Sequence, residues 1–165
     1  MIAVVLLRAA NLGARNRVGM ADFRALLEGL GCADVRTYVQ SGNAVVRTSL
    51  STEELERKVR RGLEHDLAVM VRTAAQIRKV AAVPPFPEPH VAFLARKPPA
   101  TKVRALESRD FRDDRAKVSG REVYLDYPNG AGRTSLSNAT LERVLGVAAT
   151  SRNWRTVTAL AELAG

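Results

Sequence analysis

The order of apolar patterns along the first 73 residues is the feature that most constrains what this chain can fold into. Ile2–Leu7 is a short, continuous apolar run rich in β-branched residues, which is typical of a buried strand. Residues 20–30 place apolar side chains three or four positions apart and precede Gly31, which predicts a helix and its end. Two strands are predicted next, at 35–39 and 44–48, joined by a turn into a hairpin.

A second helix and a fourth strand complete this pattern. Ser51 and Glu54 stand three residues apart ahead of an apolar stripe, which is the signature of a capping box that begins a helix. Residues 67–72 are then predicted to form a strand. The resulting order, β-α-β-β-α-β, predicts a ferredoxin-like unit with an antiparallel sheet.

The rest of the chain repeats this order less clearly. Four prolines between positions 84 and 89 exclude a helix and an interior strand, and so mark a boundary. Beyond it we predict strands at 91–95, 112–118, 122–126 and 147–150, and helices at 100–108, 140–145 and 155–164. The sequence therefore predicts an α+β protein of two ferredoxin-like halves with antiparallel sheets, which are residues 1–83 with a connecting helix and residues 90–165 with a C-terminal helix. Residues 84–89 form the proline-rich linker.

Composition narrows the possible functions. The chain has 165 residues, a formal net charge of +9, one cysteine and two histidines. A single cysteine excludes an internal disulfide framework and a metal site of several cysteines, and no apolar run approaches the length of a membrane span. We therefore expect no metal, no cofactor and no membrane partner. The lone thiol and the absence of an export signal favour a cytoplasmic protein.

The basic excess is dispersed along the chain and favours anionic partners, either small molecules or nucleic acid. Arginine outnumbers lysine by 21 to 5 and alanine is abundant, so genome composition is an alternative origin of this charge.

Chain direction predicts one candidate site. If the first strand runs up the sheet, its helix returns and the second strand runs up again to the hairpin turn. The loop after the first strand and the hairpin turn therefore lie at the same end of the sheet. The predicted ligand-binding residues at this end are Arg8, Asn11, Arg15, Asn16, Arg17, Gln40, Ser41 and Asn43.

This set is rich in hydrogen-bond donors and contains no carboxylate. Guanidinium groups suit phosphate or carboxylate, and the amides and the hydroxyl can orient the remaining oxygens. Gly13 and Gly42 would let backbone N–H groups approach a ligand. The alternative is a solvated loop beside an ordinary hairpin turn, because polar loops are common.

A second cluster is predicted at one end of the second sheet, where two loops each precede a helix. Helix starts attract anions through free N–H groups and the helix dipole. The alternative for Trp154 is a core residue, and that for Asn153 is helix capping. The predicted members are Arg133, Ser135, Arg152, Asn153 and Trp154.

No catalytic residue can be identified. His65, His90 and Cys32 have ordinary structural explanations, and no nucleophile stands beside an evident base. The aspartates between 110 and 126 form no recognisable acid pair, and the alternating charges of 109–117 are typical of a solvated surface.

Several segments resemble a family known as domain of unknown function 1697. They are LRAANLGARNRV at 7–18 with Met20, RTYVQSGN at 36–43, and the segments 69–73, 120–125 and 150–157, in the family's order. The family has glycine where this chain has Ala9 and Ala14, and lysine where it has Arg15 and Arg17, so the charge is kept and the loop is stiffer. The resemblance implies a small bacterial α+β protein with no established activity.

Three classes of function remain open from the sequence. We favour a module that binds an anionic ligand, which is a nucleotide, a phosphorylated metabolite or RNA. The alternatives are an enzyme acting on a phosphorylated or acyl substrate, with the cluster stabilising charge in the transition state, and a protein-interaction domain. Aromatic residues make up only 5% of the chain, which argues against a stacking platform for single-stranded RNA.

Overall fold

Two four-stranded antiparallel sheets organise the chain. The computed structural model describes residues 1–8, 18–38 and 42–165. Contacts divide the chain into two units, Met1–Lys79 with Ala159–Gly165, and Val80–Thr158. The predicted α+β class with two ferredoxin-like halves is confirmed, and the predicted linker at 84–89 stays a prediction. None of the helices in the described ranges has the length and apolar character needed to cross a membrane.

The first sheet has the strand order β2-β3-β1-β4. Its elements are β1 (Ile2–Leu7), α1 (Met20–Gly29), β2 (Ala33–Tyr38), β3 (Asn43–Arg47), α2 (Thr52–Gly62) and β4 (Val69–Thr73), followed by α3 (Ala74–Ala82). The central strand β1 is antiparallel to both of its neighbours, β3 and β4.

The second sheet repeats this arrangement with the order β6-β7-β5-β8. Its elements are β5 (His90–Leu94), α4 (Ala100–Glu107), β6 (Arg115–Ser119), β7 (Glu122–Asp126), a 3₁₀ turn (Ala131–Arg133), α5 (Asn138–Leu145) and β8 (Ala149–Arg152), followed by α6 (Trp154–Ala164). A helix follows the last strand in both cases, so the repeated order is β-α-β-β-α-β-α.

Both faces of the central strands are buried. Val5 lies in a core with residues of α1 and α2, whereas its neighbours Val4 and Leu6 point to the opposite face and are equally inaccessible. Ala92 and Phe93 show the same arrangement in β5. Two-sided burial explains why both strands are continuous apolar runs in the sequence rather than alternating patterns.

Two capping boxes begin helices in the first unit. The predicted one is confirmed, because the Ser51 hydroxyl accepts the Glu54 N–H at 3.1 Å and the Glu54 carboxylate accepts the Ser51 N–H at 3.0 Å. A second box begins α3, where the Thr73 N–H donates to Gln76 Oε1 at 2.8 Å and the Gln76 N–H donates to Thr73 Oγ1 at 3.1 Å. Reciprocal bonds of this kind satisfy two helix-start donors at once.

Strand β6 begins at Arg115, later than the predicted position 112. Arg112 has a φ of 61°, and its N–H donates to a carboxylate oxygen of Asp110 at 2.8 Å. A residue in the left-handed region cannot continue a strand, so the chain turns here before the strand starts.

A helix side chain covers the edge backbone of each outer strand. The bonds join Arg24 to the Val35 carbonyl at 2.6 Å, Glu56 to the Val71 N–H at 2.9 Å, Glu107 to the Val118 N–H at 3.0 Å, and Glu142 to the Ala149 N–H at 2.9 Å. Unpaired edge groups invite pairing with another chain. These four contacts therefore give edge N–H and carbonyl groups a hydrogen-bond partner and keep them from pairing with a strand of another chain.

Replacing one covering carboxylate is expected to lower stability. Glu56→Ala leaves the part-buried Val71 N–H without its acceptor, which costs about 1–2 kcal/mol of unfolding free energy. Urea unfolding measures this loss. Glu64→Ala removes an exposed carboxylate from the same unit and is the control, with an expected change below about 0.5 kcal/mol. Equal losses in the two variants would contradict the role of Glu56 at the edge.

Candidate functional site

The end of β1 lies beside the hairpin turn of the first sheet. The Leu7 N–H donates to the Gly42 carbonyl at 2.9 Å, and Leu6 is paired with Asn43. On the other side, the Arg8 N–H donates to the Ala68 carbonyl at 3.0 Å. Arg8, which is half-buried, is therefore held between the hairpin turn and the start of β4.

Six of the eight residues predicted for this end lie outside the described residues, so their part in a site stays a prediction. They are Asn11, Arg15, Asn16, Arg17, Gln40 and Ser41. The two described members, Arg8 and Asn43, are brought to the same end of the sheet.

Asn43 has a structural task that the sequence did not reveal. Its side chain is fully buried, and its Nδ2 donates to the Tyr38 carbonyl at 3.0 Å across the hairpin turn. Gly42 beside it has a φ of 74°, in the region that side-chain-bearing residues avoid. The pair Gly42-Asn43 thus shapes the turn, whatever else it binds.

Other charges gather at this end of the first unit. α2 ends here with Arg60 and Arg61, and Arg60 pairs with Asp66 at 3.0 Å on the exposed surface. α1 begins here at an N-cap, Gly19, that supplies no side-chain hydrogen bond to the helix. The first turn of α1 also carries Asp22, whose carboxylate lies beside Gly19 and offsets the positive end of the helix dipole.

Two of the residues predicted for the second cluster share one cleft. The C-terminal ends of β7 and β8 lie at the same end of the second sheet, because both strands run antiparallel to β5. Arg133 and Ser135 line a cleft of about 460 Å³ at this end. Arg112 also lines it, together with Asp113, Asp114 and Asn129.

Two hydrogen bonds tie the walls of this cleft together. Asn129 Nδ2 donates to Asp113 at 3.0 Å, and the Thr134 hydroxyl donates to Asp114. The guanidinium groups of Arg112 and Arg133 make no ion pair with any residue in the described ranges. The cleft therefore combines two arginines with two carboxylates that already accept hydrogen bonds.

The remaining members of the second cluster do not line the cleft. Arg152 is buried, and its Nη1 donates to Thr150 Oγ1 at 2.6 Å and to the Ser151 carbonyl at 3.0 Å. Burial lowers the pKa of Arg152 to about 10. Asn153 accepts the Thr156 N–H at 2.9 Å as a helix cap, and the half-buried Trp154 begins α6. Ligand roles for these three residues stay predictions.

Arg152 has a counterpart that sequence reasoning missed. Arg72 is opposite Val4 in the first sheet, as Arg152 is opposite Val91 in the second. The Arg72 side chain is 1% exposed and donates to the Val71 carbonyl at 3.1 Å. In the sequence, only the repeated order of strands and helices could have indicated this pair of buried arginines, because an arginine in a strand is usually interpreted as a surface residue.

His90 and Tyr127 lie near this cleft without forming an acid–base pair. Their rings meet edge to face at 5.1 Å, and the Tyr127 hydroxyl donates to the Leu136 carbonyl at 2.7 Å. Burial lowers the pKa of His90, and burial followed by the charge of Asp114 raises the pKa of Tyr127 above its usual range. Both side chains are held in their neutral forms near neutral pH.

Comparisons with known proteins extend this description. A family model described as "Protein of unknown function (DUF1697)" matches residues 1–124. Among solved structures, the conserved bacterial protein SP0830 from Streptococcus pneumoniae is similar with a TM-score of 0.67 and 16% sequence identity, covering 99% of this chain and 98% of that chain. At this identity the likeness shows the fold alone. No curated protein matches the chain.

Removing the Asn43 amide is expected to destabilise the first unit. Asn43→Ala leaves the Tyr38 carbonyl without its donor in a buried position, which costs about 1–3 kcal/mol of unfolding free energy. Asn129→Ala removes an amide that donates from an exposed position, so its expected cost is below about 0.5 kcal/mol. Urea unfolding measures the unfolding free energy of both variants. An Asn43→Ala protein as stable as the Asn129→Ala control would contradict the structural role of Asn43.

His90 is expected to make stability depend on pH. Because the pKa of His90 is lower in the folded chain than its unfolded value of about 6.5, the unfolded state takes up the proton more readily. The stability contributed by neutral His90 is therefore present above about pH 6.5 and is lost as the pH falls towards the folded pKa. Urea midpoints measured between about pH 7.5 and about pH 5 should fall more steeply for the wild type than for His90→Gln. Parallel profiles would contradict this assignment.

Proposed function

The chain belongs to the DUF1697 family of proteins of unknown function, and on the geometry of its own residues we propose that it binds a small anionic ligand at the Arg8 end of the first sheet. The ligand class is a molecule bearing phosphate or carboxylate groups. The observation that carries the proposal is the bond from the Leu7 N–H to the Gly42 carbonyl, which sets Arg8 beside the hairpin turn. The same site takes in the predicted residues Asn11, Arg15, Asn16, Arg17, Gln40 and Ser41.

Arg8 suits this role by position and chemistry. It follows the central strand directly, so its backbone is fixed on both sides, by the turn next to Leu7 and by Ala68. The planar guanidinium binds a phosphate or carboxylate through two parallel hydrogen bonds, so little side-chain entropy is lost for each bond formed. The start of α1 lies at the same end, where Asp22 in its first turn offsets the positive end of the helix dipole, so Arg8 supplies the positive charge of the proposal.

Burial of the sheets favours a small ligand over RNA. Ferredoxin-like RNA-binding domains stack bases on aromatic residues of an open sheet face. Here the central strands are inaccessible on both faces, as Val4 and Val5 show in β1 and Val91 and Ala92 show in β5. A ligand of this chain is therefore bound by loops at the ends of the sheets.

We further propose that the chain acts in the cytoplasm. Its single cysteine, Cys32, is a buried free thiol, and burial raises the pKa of this thiol. A free thiol kept in its unreactive, protonated form is in keeping with a reducing compartment.

Calorimetric titration of the full chain with inorganic pyrophosphate, a nucleoside diphosphate and a dicarboxylate tests the proposal. We expect saturable binding of at least one probe, and Arg8→Ala should weaken it by about tenfold or more, because a charge-assisted hydrogen bond to the anion is lost. The melting temperature should stay nearly unchanged. Arg78→Ala, which removes the same charge from the exposed surface of α3, is the matched control and should bind as the wild type does.

Three outcomes would overturn the proposal. They are the absence of saturable binding for all three probes, an unchanged affinity in Arg8→Ala, and an equal loss of affinity in the Arg78→Ala control.

The dependence of binding on salt distinguishes nucleic acid from a small ligand. The logarithm of the affinity for nucleic acid falls steeply with the logarithm of salt concentration, because counterions are released on binding. Affinity for single-stranded RNA that rises with oligomer length, without saturable binding of a small probe, would replace this proposal with a nucleic-acid site.

A further inference from the structure

The second sheet repeats the backbone geometry that positions Arg8. The Leu94 N–H donates to the Arg121 carbonyl at 2.8 Å, and the Ala95 N–H donates to the Ala148 carbonyl at 2.9 Å. These bonds correspond one for one to those of Leu7 and Arg8 in the first sheet. The residues that follow β5 therefore occupy the place that the proposed site occupies after β1.

Four cationic residues gather at this place. Arg96 and Lys97 follow β5, Lys102 lies in the first turn of α4, and Arg121 lies in the turn between β6 and β7. Together they form what we call the β5-end cluster. α4 carries no acidic residue in its first turn, where Lys102 lies.

Two of these cations approach the same backbone residue. Arg96 Nη2 donates to the carbonyl of Gly146 at 3.3 Å, and a Cβ atom placed on Gly146 would lie only 2.6 Å from Lys102 Nζ. Two positive side chains that converge on one glycine repel each other unless an anion or water screens them.

Local structure accounts for part of this charge, because Glu122 follows Arg121 and lies opposite Phe93 at this end of the sheet. Gly146 ends α5, and one cation at a helix C-terminus is favourable, which explains the bond from Arg96. The side chains of Lys97 and Lys102 are exposed, and neither makes a hydrogen bond or an ion pair within the described ranges of the chain. The nearby Glu142 accepts the Ala149 N–H at 2.9 Å as part of the edge cover of β8.

We propose that Arg96, Lys97 and Lys102 form a second anion-binding site, at the end of the second sheet equivalent to the Arg8 end of the first. The ligand class is a small molecule with a phosphate group. The Arg96 guanidinium and the Lys102 ammonium approach one glycine from different elements, and the exposed Lys97 follows Arg96 in the chain. Three cationic groups match the several acceptor oxygens of a tetrahedral phosphate better than the two of a planar carboxylate. The inference extends the proposed function to the second unit, but it uses none of the residues of the first site.

Amide NMR of the isotope-labelled full chain during titration with inorganic pyrophosphate tests the second site directly. Saturating shifts are expected for the amides of the non-proline residues within 96–102, for Arg121 and for Gly146. The double variant Lys97→Gln, Lys102→Gln should lower the affinity read from these amides by about tenfold or more. Lys58→Gln, Lys79→Gln removes two exposed lysines from α2 and α3 and should leave it unchanged.

A titration of the Arg8→Ala variant distinguishes the two sites, because the amide shifts near each site are followed separately. Saturating shifts at 96–102 that persist in this variant support the second site, whether or not the first site binds. Shifts at 96–102 that are absent, that rise linearly without saturation, or that weaken equally in the control double variant would overturn the second site. Absence of saturable binding around Arg8 in the wild type counts against the proposed function and leaves the second site standing, whereas loss of that binding in Arg8→Ala is what the proposed function predicts.

Discussion

The antiparallel pairing of β1 with β3 and β4 is the constraint on which the rest of the first unit depends. Burial on both faces leaves β1 no polar position to offer a ligand, so side chains can meet a ligand only where the strand ends. At that point the paired strands fix the neighbours of Arg8, because the hairpin turn and the start of β4 are bonded to the backbone of Leu7 and Arg8. The location of the candidate site thus follows from sheet pairing rather than from any single motif.

The two sheets share one backbone arrangement but carry different charged side chains at their ends. At the end of each sheet where the central strand finishes, cations follow that strand, Arg8 in one unit and Arg96 with Lys97 in the other. At the opposite end of the second sheet, Arg112 and Arg133 share their cleft with Asp113 and Asp114. Because the two carboxylates there offset the two arginines, we place the proposed anion sites at the ends where the central strands finish.

Sequence patterns predicted the features that depend on local interactions. Ile2–Leu7 is a strand as expected, and the capping box of Ser51 and Glu54 begins a helix, because both signals are contained in a few adjacent residues. The burial of Asn43 and Arg72 could not be predicted, since it depends on which distant residues cover them. The positive φ of Arg112 could not be predicted either, because arginine has no preference for that conformation and the pattern around it favours a strand from residue 112.

The most direct measurement is a crystal structure of the full chain grown with inorganic phosphate. The account predicts tetrahedral density within hydrogen-bonding distance of the Arg8 guanidinium, beside Gly42. An Arg8 side chain neutralised by an aspartate or glutamate, with phosphate bound only at other places on the chain, would contradict it.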